Sequence, residues 1–253
     1  MPDGQPVRLH CFAHAGAGVS CFHGWPGDLG RAVEPVPHML PGRESRRREP
    51  RVVRRAALLA EVTDTFTRAP SGPYVLYGHS LGALVAYTIT RALHEAGLPG
   101  PALLAVGACP PPDAPSPLSD AHDASEERLL RLLGEIGALP EGAAPGGLWH
   151  RAVLPVLRDD LALADDLRAA AREPSAAGPL PVPLLIVAGG DDPVARPAVM
   201  EGWRRWSTGT AAVRTVPGDH FFVRGRELPR LLGHACRAVA RAAPARPTAP
   251  ARP

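Results

Sequence analysis

The sequence predicts an α/β fold, a mostly parallel central sheet flanked by helices, with a helical lid inserted late in the chain. Three observations carry this. Short apolar runs rich in β-formers alternate with helix-spaced segments at βαβ length, as in "PYVLYG", residues 81–96 and "ALLAV". That rhythm breaks at "CPPPDAPSP" and resumes at "VPLLIVAGG". Between the two lie only helical patterns. At 253 residues the chain fits one such domain with an insertion.

Residues 7–12, "VRLHCF", read as a strand that runs into the Gly-rich turn "AHAGAG". A second extended segment is expected around 33–40, "VEPVPHML", although its prolines count against an interior strand. "PGRESRRREPRVVRR" is a basic loop leading into a helix over 54–68. The strand "PYVLYG" (73–78) precedes a helix over 81–96, whose apolar positions include Leu81, Leu84, Val85, Ile89 and Leu93. Gly97 and Pro99 stop that helix, and "ALLAV" (102–106) is a buried-type strand. Helical spacing then falls at 125–138, 147–158 and 159–172. A strand at 182–190, a helix at 196–206, a strand at 211–216 and a helix at 227–242 complete the series. The Ala/Pro/Arg stretch that ends the chain reads as disordered. The expected organisation is a core of residues 1–110 and 180–242, a lid of 111–179 and a disordered tail of 243–253. Inserted helices of this kind often cover a site at the carboxyl ends of the strands.

Composition excludes several functions. A net charge of +3 leaves a global field that says little about partners, and no nucleic-acid partner is expected. All 28 basic residues are Arg, so no lysine can form a Schiff base, act as general base or bind phosphate in a Walker loop. Cys11, Cys21, Cys109 and Cys236 are scattered and read as reduced thiols of a cytoplasmic protein. His10, Cys11, His14, Cys21 and His23 cluster in sequence, but alternate faces of a strand and turn do not make a metal site. No signal peptide and no membrane span are evident. A monomer without metal or cofactor is expected.

The chemistry centres on "YGHSLGALVAY". Ser80 lies between Gly78 and Gly82, after an apolar strand and before an amphipathic helix, the setting of a strained nucleophile turn. A serine needs a base, and the expected chain order is Ser, acid, His. His220, in "VPGDHFFV", comes late enough to be that base. His79 adjoins Ser80, but successive side chains diverge on a sharp turn; His234 falls within a helix. "VAGGDDP" offers the acid. Asp192, fixed by the following Pro193, is preferred, with Asp191 as a turn-capping neighbour and Asp219 as a weaker rival. An oxyanion needs two amide donors, which fall on Leu81 and on Ala15 in the Gly-rich turn. The segment 43–55, with seven Arg against two Glu, reads mostly as a solvated basic run and otherwise as a dock for an acidic partner or a phosphate.

In combination, "LHCFAHAGAG", "MLPGRE", "YVLYGHSLGALVAY", "VLPVLRDD", "VAGGDDP", "EGWRRWSTG" and "VPGDHFFV" resemble the type II thioesterases of polyketide and nonribosomal-peptide assembly lines. These belong to the α/β-hydrolase superfamily. The resemblance runs from residue 8 to about 225. It implies hydrolysis of acyl groups from the phosphopantetheine arm of acyl or peptidyl carrier proteins, with Ser80, Asp192 and His220 as triad and Ala15 and Leu81 as oxyanion donors. The chain departs from the family pattern at "VSCFHGWPGDLG", "GACPPPDAP" and "DDLALADDLR", which bear on substrate preference. Alternatives are a carboxylesterase or an acyl transferase or cyclase of the same fold. A non-catalytic carrier-binding module is an alternative of another class.

Overall fold

The computed structural model describes residues 5–67, 72–139 and 146–242, so the tail expected to be disordered lies outside the described residues. Six strands, β1 (Val7–Phe12), β2 (Val33–His38), β3 (Tyr74–His79), β4 (Leu103–Gly107), β5 (Leu184–Gly189) and β6 (Ala211–Val216), form one sheet in the order β2-β1-β3-β4-β5-β6. Every neighbouring pair is parallel. The α-helices among the described residues are α1 (Trp25–Leu29), α2 (Arg55–Phe66), α3 (Leu81–Glu95), α4 (Glu126–Glu135), α5 (Leu148–Arg172), α6 (Pro197–Met200) and α7 (Glu227–Ala242). The prolines of "VEPVPH" are tolerated because β2 is an edge strand, where a missing N–H on the open side breaks no ladder.

The continuous apolar runs of β3, β4 and β5 follow from burial on both faces. Leu76, Leu104 and Ile186 point to a core shared with α2, α3 and α5. Val75, Ala105 and Leu185 point to a second core with α1 and α7. A third cluster joins α4 to the first half of α5 through Leu129, Leu133, Leu154, Leu157 and Leu161. Ser125 caps α4, accepting from the Arg128 amide at 3.3 Å, and Glu126 and Glu127 complement its N-terminal dipole.

Two expectations need correction. The helices placed at 147–158 and 159–172 are one helix, α5, with Pro155 inside it. A proline there removes one hydrogen bond and costs about 3 kcal/mol. Burial on both sides of the break offsets this, with Leu154 and Leu157 in the third cluster and Leu163, Leu167 and Ala171 in the main core. The helix expected over 196–206 is a single α-turn followed by a 3₁₀ segment, Glu201–Trp206, which delivers Trp203 into the core.

β1 and β2 also bring His10 Nδ1 within 2.7 Å of His38 Nε2, among the rings of Phe12, Phe66 and Tyr74. Burial, then the neighbouring His38 and Arg8, pushes His10 down to about 3, and burial pushes His38 down to about 4. Unfolded histidines titrate near 6.5, so between pH 6.5 and 4 the unfolded chain binds more protons. The stability these groups contribute is full above pH 6.5 and is lost as the pH falls. Urea unfolding is therefore expected to show a loss on the order of 2 kcal/mol from each histidine, roughly 5 kcal/mol from the pair, between pH 7 and 4.5. A His10→Leu/His38→Leu chain should have a flatter profile, and an equally steep one would contradict the assignment.

Candidate active site

The chain leaves β1 for β2 on one side and returns to β3 on the other, so a crevice opens at the carboxyl ends of β1 and β3. The Gly-rich turn follows β1 and Ser80 follows β3. Ser80 has φ 55° and ψ −117°, a conformation that costs about 1–3 kcal/mol in a residue with a side chain. Its amide donates to the Gly107 carbonyl on β4 at 2.8 Å. The turn closes only without side chains on either flank. A Cβ on Gly78 would overlap the Gly82 carbonyl, and a Cβ on Gly82 would overlap the Phe12 carbonyl. Both obstacles are backbone and cannot swing aside. Gly82→Ala is thus expected to destabilise the fold by about 3 kcal/mol or more, or to leave the chain insoluble. An unchanged urea midpoint would contradict that contact.

His220 reaches this turn from the loop after β6. Its Nε2 lies 3.2 Å from Ser80 Oγ, and its Nδ1 lies 3.0 and 3.1 Å from the two carboxylate oxygens of Asp192. Both His220 and Asp192 are buried. A carboxylate can only accept, so Nδ1 carries the proton and Nε2 presents its lone pair to the serine hydroxyl. Burial raises the Asp192 carboxyl, but hydrogen bonds from His220 and from the Ala195 and Val194 amides outweigh it, and the group titrates below the ordinary range. The Val194 and Ala195 amides donate to Asp192 Oδ1 at 2.8 and 3.0 Å respectively. Asp192 therefore caps its own turn, the task expected of Asp191, whose side chain is exposed. Pro193 fixes the chain so that residue 192 points inward. Asp219, the other rival, is exposed and caps the Phe221 amide at 2.8 Å.

His79 points away from Ser80 Oγ into the second core. Its Nε2 donates to the His220 carbonyl at 2.7 Å, which leaves Nδ1 to accept from the Tyr77 hydroxyl at 2.7 Å. It therefore ties the end of β3 to the backbone that presents His220. Burial and the neighbouring His220 and His14 hold it well below the usual imidazole range. His14, packed on Phe221 with 5.1 Å between ring centroids, is lowered to about 4, chiefly by burial. Both flanking imidazoles thus stay neutral at neutral pH and place no cation beside His220. His234 is exposed on α7, away from the site.

Ala15 and Leu81 converge on Ser80: both line one compartment beside it, and Ala15 lines a second. Leu81 is the first residue of α3, so its amide has no intrahelical acceptor. The turn holding Ala15 is closed by the Ala17 amide donating to the His14 carbonyl at 3.1 Å, with Gly16 at φ 76°. That combination is a type II turn, which requires a residue free to adopt positive φ at its third position.

Sequence reasoning missed what holds this turn. Arg43 Nη1 and Nη2 pair with Asp160 of α5 at 2.9 and 2.6 Å, and both side chains are buried. Asp160 Oδ2 also accepts the Gly16 amide at 2.7 Å, and Arg43 Nη1 also donates to the Ala17 carbonyl at 3.0 Å. Most of the basic run lies at the surface, as expected, with Arg47, Arg48, Arg51 and Arg54 exposed and Arg43 buried. Arg51 pairs with Asp159, Arg54 with Asp166 at 3.1 Å, and Arg46 with Glu49 and Glu61. The available signal was charge complementarity between residues 43–55 and the aspartates of "RDDLALADD".

The two compartments on Ser80 hold about 30 Å³ each, roughly one water molecule. Leu84, Leu118 and Leu161 wall the first; Leu133, Ile136, Leu157 and Phe221 wall the second. A groove of about 790 Å³ runs outward from His14 and Ala15 past Arg47, Trp149 and Arg224. Among the described residues no cluster of three or more His, Cys, Asp or Glu could hold a metal, and no helix is long and apolar enough to cross a membrane. The four cysteines are free thiols.

Comparison with known proteins agrees with this arrangement of strands and loops. Thioesterase PikA5 of Streptomyces venezuelae is 32% identical over 220 residues, covering 86% of this chain and 75% of that protein. Gramicidin S biosynthesis protein GrsT of Aneurinibacillus migulanus is 26% identical over 217 residues, covering 86% and 83%. The solved structure of RedJ, a thioesterase from the prodiginine biosynthetic pathway in Streptomyces coelicolor, superimposes with a TM-score of 0.77 at 33% identity, covering 92% and 91%. The fold is that of the α/β-hydrolases. The family described as "Thioesterase domain" matches residues 7–238, from the first residue of β1 into α7, and the chain belongs to that family.

Proposed function

We propose that this protein hydrolyses acyl thioesters carried on the phosphopantetheine arm of acyl or peptidyl carrier proteins, as an editing type II thioesterase of polyketide or nonribosomal-peptide assembly. The single observation that supports the catalytic reading best is the His220 imidazole seated between Ser80 Oγ and the Asp192 carboxylate. Ser80 Oγ attacks the thioester carbonyl while His220 Nε2 takes its proton. Asp192 holds the productive tautomer and stabilises the imidazolium. The amides of Ala15 and Leu81 donate to the oxyanion. The thiolate leaves, taking the proton from the His220 imidazolium; water enters, and the neutral His220 removes its proton as it attacks the acyl-Ser80 ester. Protonation of Ser80 Oγ then frees the acid and restores the enzyme. No cofactor takes part in this route.

Residues 111–179 serve as the lid over a core of 1–110 and 180–242. With about 30 Å³ in each compartment on Ser80, an acyl chain is admitted only when the lid side chains that wall them, Leu118, Leu133, Leu157 and Leu161 among them, shift. The pantetheine arm approaches along the groove that ends at Ala15. The free thiols suit a cytoplasmic enzyme, and its working form is a monomer that meets carrier proteins transiently. The test is a panel of acyl groups on one carrier protein, scored by intact mass for loss of the acyl group, beside a simple aryl ester. Carrier-bound thioesters should be cleaved with the higher kcat/KM. Preference for the aryl ester would favour a carboxylesterase, and transfer to a nucleophile other than water would favour a transferase or cyclase.

A further inference from the structure

The Arg43–Asp160 pair is costly by construction. Both charges are out of water, and Arg43 Nε is buried with no hydrogen-bond partner among the described residues. Burial raises the Asp160 carboxyl despite the opposing pull of Arg43, so desolvation outweighs the attraction. Buried pairs of this kind are poor stabilisers, and well-packed apolar residues often replace them at no loss. What the pair does instead is geometric. It grips the type II turn at two points, accepting from the Gly16 N–H and donating to the Ala17 carbonyl. The peptide between Ala15 and Gly16 is the one that reverses when such a turn changes type. Here its N–H is fixed by Asp160, and its carbonyl accepts from His14 Nδ1 at 3.0 Å.

We infer that the Arg43–Asp160 pair positions the oxyanion site: by holding the Gly16 N–H it locks the turn that aims the Ala15 amide at the substrate carbonyl. Arg43 and Asp160 are positioning residues and touch no reacting atom. Asp160 belongs to α5, whose Leu157 and Leu161 wall the compartments on Ser80. One helix therefore both encloses the acyl group and sets the donor. The inference rests on the reading of Ser80 as nucleophile and Ala15 as oxyanion donor.

The test replaces the pair by apolar residues, Arg43→Met/Asp160→Leu, and measures three things. These are kcat and KM for an acyl-N-acetylcysteamine thioester, the affinity for phenylboronic acid, which forms a tetrahedral adduct with a reactive serine, and the urea midpoint. Misplacing one donor should lower kcat by about 10- to 100-fold, with KM within about twofold and boronate affinity weakened in step with kcat. A second variant, Arg43→Met/Asp160→Asn, keeps an oxygen acceptor for the Gly16 N–H without the charges and should recover most of the lost kcat. If the leucine variant does not fold, Arg43→Met/Asp160→Ala removes the same acceptor without added bulk. A kcat within twofold of wild type in the variant lacking the acceptor would overturn the inference, as would unchanged boronate affinity. Failure of the wild type itself to bind the boronate would count against the Ser80 reading instead.

Discussion

Ser80→Ala is expected to lower kcat for a carrier-bound acyl thioester by about four orders of magnitude or more, while binding of the acylated carrier stays within a few-fold of wild type. The loss is large because the serine oxygen alone carries the acyl group between the two half-reactions. His220 would then face a methyl group, and direct attack by water would have only the oxyanion donors to assist it. The fold should survive, since alanine keeps the Cβ that the turn already accommodates and the Ser80 amide still reaches the Gly107 carbonyl. Single-turnover hydrolysis followed by intact mass, beside a carrier-binding titration, gives both halves of the result. Turnover within tenfold of wild type would remove Ser80 from the chemistry.

The second large effect is expected for Asp192→Asn, a drop in kcat of about 10³- to 10⁴-fold near neutral pH with little change in KM. The direction follows from the hydrogen bonds. The amides of Val194 and Ala195 both donate to Oδ1, so the oxygen of the introduced carboxamide stays there and its NH₂ turns to His220. An NH₂ cannot accept, so His220 Nδ1 becomes the acceptor and the proton moves to Nε2. The ring then presents a hydrogen to Ser80 where it needs a lone pair. The same amides also stabilise the native carboxylate. Because the folded Asp192 carboxyl titrates below its unfolded value, its contribution to stability is present above about pH 4 and lost as the pH falls through the folded value. The variant should lack that part of the acid sensitivity. Retention of wild-type kcat by a folded Asp192→Asn protein would mean that another group orients His220.

Much of this was legible because the physics behind it is local. β3, β4 and β5 are sandwiched on both faces, so their runs are unbroken and stand out from helical spacing. The Ser80 turn was readable because its two glycines sit in a short motif, Gly78 forced by the nearby Gly82 backbone, although the Phe12 carbonyl that forces Gly82 comes from the distant β1. Asp192 and His220 were found through chain order and through the proline that pins the acid's turn. What escaped was tertiary. The continuity of α5 through Pro155 depends on leucines that meet two different clusters, which no window of sequence contains. That Asp192 both faces His220 and caps its own turn depends on which carboxylate the turn buries. The ion pair of Arg43 with Asp160 joins residues 117 positions apart, and its partners were hidden among many charges of both signs.

The undivided course of α5 bears on how the enzyme could be redesigned. Its far half is sunk among the same side chains that support the sheet, so it cannot be exchanged without rebuilding the scaffold. Residues upstream of Leu157, with α4, touch the rest of the protein mainly through their own small cluster. A chimera that takes its acyl-length preference from a relative should be joined there, so that the grafted cap brings a new ceiling and leaves the machinery beneath it intact.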